Sequence, residues 1–170
     1  MATAAKLSVR LEKYIGKSFR PDCDFVDGEL QERNLGELEH SEMQMAVLLW
    51  FAKHLTDWEL SVLPEMRVQT GPHRFRVADI AIVAKDTPRE RILVTPPLIV
   101  IEILSPEDRV GRYKERLDDY RKMGVSNLWV IDPMTLEGFD CTSGSWNPTD
   151  IFTVPGTEIT LPLKQLGLAR

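Results

Sequence analysis

The amino-acid sequence predicts an α/β domain with a central mixed sheet flanked by helices, and three observations carry that reading. Residues 98–104, Leu-Ile-Val-Ile-Glu-Ile-Leu, form a run apolar enough to be a strand buried on both faces. Ser105-Pro106-Glu107-Asp108 then marks a helix start: serine suits the N-cap, proline the first helical position, and the two acids complement the positive end of the dipole. That helix stops at Gly124, and Asn127-Leu128-Trp129-Val130-Ile131 reads as a further strand closed by Asp132-Pro133. Strand, helix and strand at this spacing predict a right-handed crossover, and with it a mixed sheet.

The remaining elements follow in order. Residues 7–15 read as a short amphipathic helix, and residues 24–32 as a strand bent at Asp27-Gly28. A longer helix is expected over residues 38–56, where Met43, Val47, Leu48, Trp50, Phe51 and Leu55 supply the apolar positions. Strands are expected over residues 59–63, 66–69, 76–84 and 98–104, with a loop over 85–97 because Pro88, Pro96 and Pro97 interrupt it. From Glu137 onward the chain offers short strand-like pieces broken by Gly138, Gly144, Pro148, Pro155 and Gly156.

With 170 residues, 43% of them hydrophobic, the chain can bury a core, and one domain spanning residues 1–170 is expected. Cys23 and Cys141 match no metal spacing, which fits a reducing compartment and packing roles rather than a disulfide framework. Residues 1–17 hold no continuous apolar stretch, and no later run approaches the roughly 20 residues of a membrane span. The expectation is a soluble, cytoplasmic protein with no membrane partner.

The net charge of -5 argues against a generic, salt-driven nucleic-acid coat. Its distribution is uneven. From Asp22 to Glu42 there are eight acidic residues and a single basic one, Arg33, whereas Arg67, Arg74 and Arg76 precede Asp79, and Arg109, Arg112, Lys114, Arg116, Arg121 and Lys122 follow Glu102. Interleaved acids make an ordinary mixed-charge surface an equally good reading of that pattern.

Two carboxylates stand out. Glu102 lies inside the apolar run, and Asp79 repeats the pattern within Val77-Ala78-Asp79-Ile80-Ala81-Ile82. An unpaired buried carboxylate is costly, so each must take up a proton or find a cation or donor. If the two strands pair, both acids can reach one hard divalent cation; the alternative is a buried salt bridge to Arg74, Arg76 or Arg116. At about 100° per residue, Val110, Tyr113, Leu117 and Tyr120 define the apolar stripe of this helix, with Arg116 and Lys114 on its two flanks; Arg116 is read as the better-placed cation, and the flexible stem of Lys114 keeps that residue in play.

Other chemistries lack their motifs. There is no Gly-x-Ser-x-Gly elbow, phosphate loop, Rossmann glycine fingerprint or His-Glu-x-x-His helix. His54 and His73 have no partner at ligand spacing, and Trp50, Trp58, Trp129 and Trp146 read as core or interface residues.

An ordered set of motifs resembles one known family, the Uma-type restriction endonucleases, a branch of the PD-(D/E)XK nuclease superfamily. The resemblance covers roughly residues 7–168. It begins with Phe25-Val26-Asp27-Gly28-Glu29-Leu30 and His40, continues through Val77-Ala78-Asp79-Ile80 and Ile101-Glu102-Ile103-Leu104-Ser105-Pro106, and ends with Tyr120, Gly124-Val125, Trp129 and Asp132-Pro133. It implies a restriction endonuclease-like core and a Mg²⁺- or Mn²⁺-dependent DNA endonuclease. Asp79, Glu102 and the backbone carbonyl of Ile103 would hold the metal, Arg116 or Lys114 would orient water or neutralise phosphate, and Glu29 and His40 would be outer members of the site. The chain departs from the pattern at Ala78, where proline is anticipated, and at Leu104, where the superfamily places lysine. In the family the lysine stands four residues before the tyrosine, a position held here by Arg116. Arginine is cationic but a poor proton donor or acceptor near neutral pH.

Two alternatives stand beside cleavage. One is a catalytically weakened nuclease fold acting as a DNA-binding or protein-interaction module, motivated by Arg116 in the lysine position. The other is a small-ligand or structural oligomer with buried ion pairs at Asp79 and Glu102. For an enzyme that cuts both strands of a duplex, a two-fold homodimer is the expected state.

Overall fold

The computed structural model describes residues 7, 8, 10–19, 22–33, 37–106 and 110–168. Glu107, Asp108 and Arg109, where the third helix was expected to start, lie outside the described residues, as does Val9.

The chain begins with β1 (Leu7–Ser8) and α1 (Leu11–Gly16). The helix is shorter than expected, because Leu7 and Ser8 pair instead with Leu30 and Glu29 along a strand edge that would otherwise leave its backbone groups open. The expected bent strand is a hairpin of β2 (Cys23–Val26) and β3 (Glu29–Glu32). Asp27 and Gly28 both have positive φ, 50° and 92°, the left-handed pair that a two-residue turn matched to strand twist requires.

Helix α2 (Leu38–Ala52) ends before the expected Thr56, and the chain turns through to Glu59, whose φ of 50° directs it into the sheet. The two expected strands that follow are one, β4 (Leu60–Gly71), running through Pro64. Proline is tolerated because β4 is an edge strand paired in the ladder with β5 (Arg74–Ala84). The proline-bearing loop after β5 tucks Leu93 against β4: its amide donates to Arg67 O at 2.9 Å and its carbonyl accepts from Gln69 N at 2.8 Å.

Strand β6 (Ile99–Ile103) is buried throughout, antiparallel to β5 and parallel to β7 (Asn127–Asp132), with α3 (Val110–Met123) as the crossover. This is the mixed sheet expected from the sequence. Strands β8 (Glu137–Asp140) and β9 (Asn147–Thr149) extend it beyond β7, and β10 (Ile151–Thr153) pairs with β11 (Thr160–Pro162) in a separate hairpin. Among the described residues the main sheet runs β1-β3-β2-β5-β6-β7-β8-β9, with β4 also on β5.

The period-two alternation of β6 sorts two cores. Ile99, Ile101 and Ile103 pack with Met43, Val47 and Phe51 of α2 and with Trp129, which stacks on Phe152 at 4.9 Å. Val100 packs with Leu117 and Tyr120 of α3. Glu102 falls on the α3 side with Val100. Cys23 and Cys141 are buried and unbonded to each other. Among the described residues no helix is long and apolar enough to cross a membrane.

One irregularity positions everything that follows. On the side away from β4, β5 pairs with β2 at Arg74 and Phe75 and with β6 at Ile80, Ala81 and Ile82. Between those ladders, over residues 76–79, β2 and β6 diverge and the sheet opens. Backbone groups in such a gap still need partners. They find side chains: Val77 N donates to Asp24 Oδ1 at 2.8 Å, Val77 O accepts from Arg116, and Asp79 O accepts from Gln44 Nε2 at 3.0 Å.

Candidate functional site

The split in the sheet is a cavity of about 40 Å³, whose wall includes Asp24, Arg33, His40, Asp79, Glu102 and Arg116. One water needs roughly 10–15 Å³ by this measure, so there is room for a small ion with part of its water shell. Continuing the β5–β6 register one step past Ile80 and Ile101 would set Asp79 across from Glu102. The ladder stops there instead, and Asp79 Oδ2 takes the amide of Ile103 at 2.8 Å.

Asp79 is 2% exposed. Its Oδ2 lies 3.3 Å from His40 Nε2 at the start of α2, and its Oδ1 is paired with Arg33 at the end of β3. Burial alone would raise its pKa, but the hydrogen bond from His40 and the charge of Arg33 outweigh that and bring it down to about 2. His40 is shifted upward: burial opposes its charge, and Asp79 prevails over burial. Arg33 also pairs with Glu65, and Gln44 Nε2 donates to Glu65 Oε1 at 2.9 Å.

Glu102 is 1% exposed and is held by α3. Arg116 Nε and the Tyr120 hydroxyl both donate to its Oε1, at 3.0 and 2.8 Å. Among the described residues, Oε2 accepts no hydrogen bond. Burial pushes Glu102 up to about 7 against the pull of Arg116, so this carboxylate is short of positive charge. Arg116 is divided three ways, donating also to Asp24 Oδ2 at 2.6 Å and to Val77 O. Asp24 in turn accepts from Arg76 Nη1 at 3.1 Å, and Arg76 Nε donates to Asp119 Oδ2 at 2.8 Å. The result is a buried chain of alternating charge from Glu102 to Asp119.

The residues singled out in the sequence fall into two groups. Asp79, Glu102, His40, Arg116 and Ile103 meet at the cavity. Lys114 is exposed on α3 and Glu29 sits beside the hairpin turn, and neither is on the cavity wall. The cation that reaches Glu102 is therefore Arg116. The carbonyl of Ile103 accepts from the Tyr113 hydroxyl at 3.0 Å, and one carbonyl lone pair remains for a second partner. The buried ion-pair alternative is physically real in part: Glu102 is paired with Arg116, and Asp79 with Arg33 rather than with Arg74 or Arg76.

Sequence reasoning missed Asp24, Arg33, Gln44 and Glu65. Asp24 carried the same signal as the other two acids, a carboxylate set in an apolar strand. Arg33 was visible as the lone basic residue of an acidic stretch.

The wall carries donors of the kind a hard divalent cation takes, although both oxygens of Asp79 have partners in this structure. Two carboxylates and a backbone carbonyl are oxygen donors, and Glu102 retains an uncommitted oxygen and a deficit of positive charge. Among the described residues there is no cluster of three or more His, Cys, Asp and Glu side chains placed to cage an ion. The candidate donors are all oxygen, the kind that hard divalent cations take together with part of their water shell.

A family model described as "Uma2: Putative restriction endonuclease" matches residues 10–169. The chain belongs to the Uma2 family. The sequence-level resemblance to it is thereby confirmed, and the family's match takes in all the site residues named above. No curated protein matches the chain. Among solved structures, a protein from Anabaena variabilis described as a putative nuclease belonging to DUF820 superposes with a TM-score of 0.76 at 21% identity, covering 93% of this chain and 97% of that one. This Uma2 chain therefore has the restriction endonuclease-like fold expected of it.

Proposed function

We propose that the protein is a divalent-metal-dependent DNA endonuclease that hydrolyses phosphodiester bonds. The observation that carries this reading is the meeting of Asp79 and Glu102, from two different strands, on one small polar cavity where the sheet opens. Membership in a family described as restriction endonuclease supports it.

In this reading Asp79, Glu102 and the carbonyl of Ile103 hold Mg²⁺ or Mn²⁺. The bound ion supplies Lewis-acid polarisation of the scissile phosphate and a lowered pKa for its water. The chain's own residues do the rest. His40 keeps Asp79 ionised through the contact of its Nε2 with Oδ2. Tyr120 and Arg116 fix the rotamer of Glu102, and Arg116 adds positive charge where the phosphate gains negative charge. The partner is DNA, the assembly a homodimer with one site per strand, and the location cytoplasmic.

The deciding experiment is cleavage of supercoiled plasmid by purified protein with Mg²⁺ or Mn²⁺. Wild type should cut only with metal, and Asp79→Ala and Glu102→Ala proteins should not. Equal residual cutting by both variants points to a contaminating nuclease and sinks the reading.

A second reading, DNA binding without cleavage, is favoured by one observation. Arg116, in the position of the expected lysine, has its fork committed to Glu102, Asp24 and Val77 O. Metal-independent DNA binding with no cutting by wild type, and none gained in Arg116→Lys, selects it.

A further inference from the structure

Arg33 takes the oxygen of Asp79 that has no other partner among the described residues. Its guanidinium is paired with Oδ1 of Asp79, the carboxylate oxygen left over after Oδ2 has taken His40 and the amide of Ile103. Arg33 comes from the end of β3, outside the ladders that fix β5 and β6, and it has a second anchor in Glu65 of β4. Asp79 is almost wholly buried, whereas the Glu65 side chain is 48% exposed. Gln44 holds Glu65 in place by donating to its Oε1 while also bonding the carbonyl of Asp79. The guanidinium thus bridges a deep acid and a shallow one, with a fixed receiving position on the shallow side.

From this geometry we infer that Arg33 is a displaceable cation: it neutralises Asp79 while no metal is bound, and it withdraws onto Glu65 when a divalent ion takes Oδ1. The inference rests on the metal-binding reading of the cavity. The physical reason is charge balance in a buried site. A bare pair of carboxylates around a cavity would repel each other; Glu102 is bonded to Arg116, and Asp79 is in direct contact with His40 and Arg33. An incoming ion delivers two positive charges beside Asp79, and a guanidinium in hydrogen-bond contact with the same carboxylate then becomes a like charge at close range. Retreat to Glu65 relieves that repulsion without leaving Arg33 unpaired. Two positions of one side chain, biased by one ligand, are enough for a two-state element.

The test is direct Mn²⁺ binding by calorimetry to wild type and Arg33→Gln, with folding checked by circular dichroism. Removing a competing cation should tighten Mn²⁺ binding by about tenfold or more, while the metal-free variant melts at a lower temperature than wild type. A folded Arg33→Gln protein that binds Mn²⁺ no more tightly than wild type overturns the inference and leaves the metal site standing. Binding by neither protein overturns the functional reading and takes this inference with it. If Arg33→Gln does not fold, the Nε resonance of Arg33 in wild type serves instead. It should shift on saturation with Mg²⁺ and stay fixed in Asp79→Asn; an unmoved resonance in wild type overturns the inference.

Discussion

Asp24 and Arg116, which lie on β2 and α3, meet through an Oδ2 to Nη1 bond of 2.6 Å that closes the gap where the sheet opens. The same carboxylate caps the amide of Val77 and accepts from Arg76, so one side chain ties β2 and β5 to the crossover helix. Arg116 then reaches on to Glu102. The orientation of the acid on β6 therefore depends on an acid it does not touch.

Asp24→Asn should lower unfolding stability by about 3 kcal/mol, the range found when one partner of a buried ion pair is removed. Asparagine can still accept a bond from Val77 N, but Arg76 and Arg116 lose a shared negative charge while remaining buried. The urea midpoint measures it, and an unchanged midpoint shows that Asp119 and Glu102 alone balance the two guanidiniums.

Arg116→Lys should also destabilise, by about 2 kcal/mol. An ammonium on a shorter stem cannot reach Glu102, Asp24 and Val77 O together, and whichever acceptor is dropped stays buried. Thermal denaturation of the metal-free protein checks this. A variant as stable as wild type would mean that the three bonds contribute no more than one.

The metal-free protein should become less stable as pH rises from about 5 to about 8. Glu102 has a folded value near 7, raised chiefly by burial from an ordinary 4.5. A raised carboxylate stabilises the fold fully below its unfolded pKa and loses that contribution as pH climbs through the folded one. His40 is also raised and acts in the same direction. Asp79, at about 2 against an ordinary 3.8, works at the other end: its contribution is present above 3.8 and lost only as pH falls toward 2. Melting temperatures across the range should slope downward in wild type and less steeply in Glu102→Gln, where the carboxyl cannot titrate. Identical slopes would remove Glu102 as the cause.

The parts of this fold that the sequence revealed are those set by local pattern. The apolar run around Glu102, the Ser-Pro junction and the stop at Gly124 each reflect a requirement met within a few residues, and β6, α3 and β7 follow in that order. Elements whose form depends on a distant partner were misread. Leu7 and Ser8 are strand because β3 offers an edge, and β4 continues through Pro64 because β5 pairs along its whole length. The site divides in the same way. Asp79 and Glu102 stand out because an acid among aliphatics conflicts with its surroundings. Gln44 and Glu65 look like ordinary surface residues, and Arg33 like a lone base in an acidic stretch, until tertiary structure brings the three together around Asp79.

Gly138 tests the packing of the C-terminal hairpin independently of the site. It lies in β8 opposite Ile131 and Thr149, and a Cβ there would come within 2.7 Å of Leu163 Cδ1, 2.7 Å of Phe152 Cζ and 2.8 Å of the Thr149 carbonyl. Two of those neighbours are themselves wedged: Phe152 stacks on the fully buried Trp129, and Leu163 belongs to the same core. The third is backbone held in a ladder. None of them can withdraw by the several tenths of an ångström required without opening contacts on its far side, so the cost falls on packing rather than on backbone conformation. Gly138→Ala should therefore destabilise by about 1–3 kcal/mol, lowering the melting temperature by about 2–12 °C for a chain of this size. Gly144→Ala and Gly156→Ala, strained by positive φ of 98° and 76° but free of close side-chain neighbours, separate the two effects. If Gly138→Ala melts with wild type, the β10–β11 hairpin is not seated on β8 as tightly as those distances require.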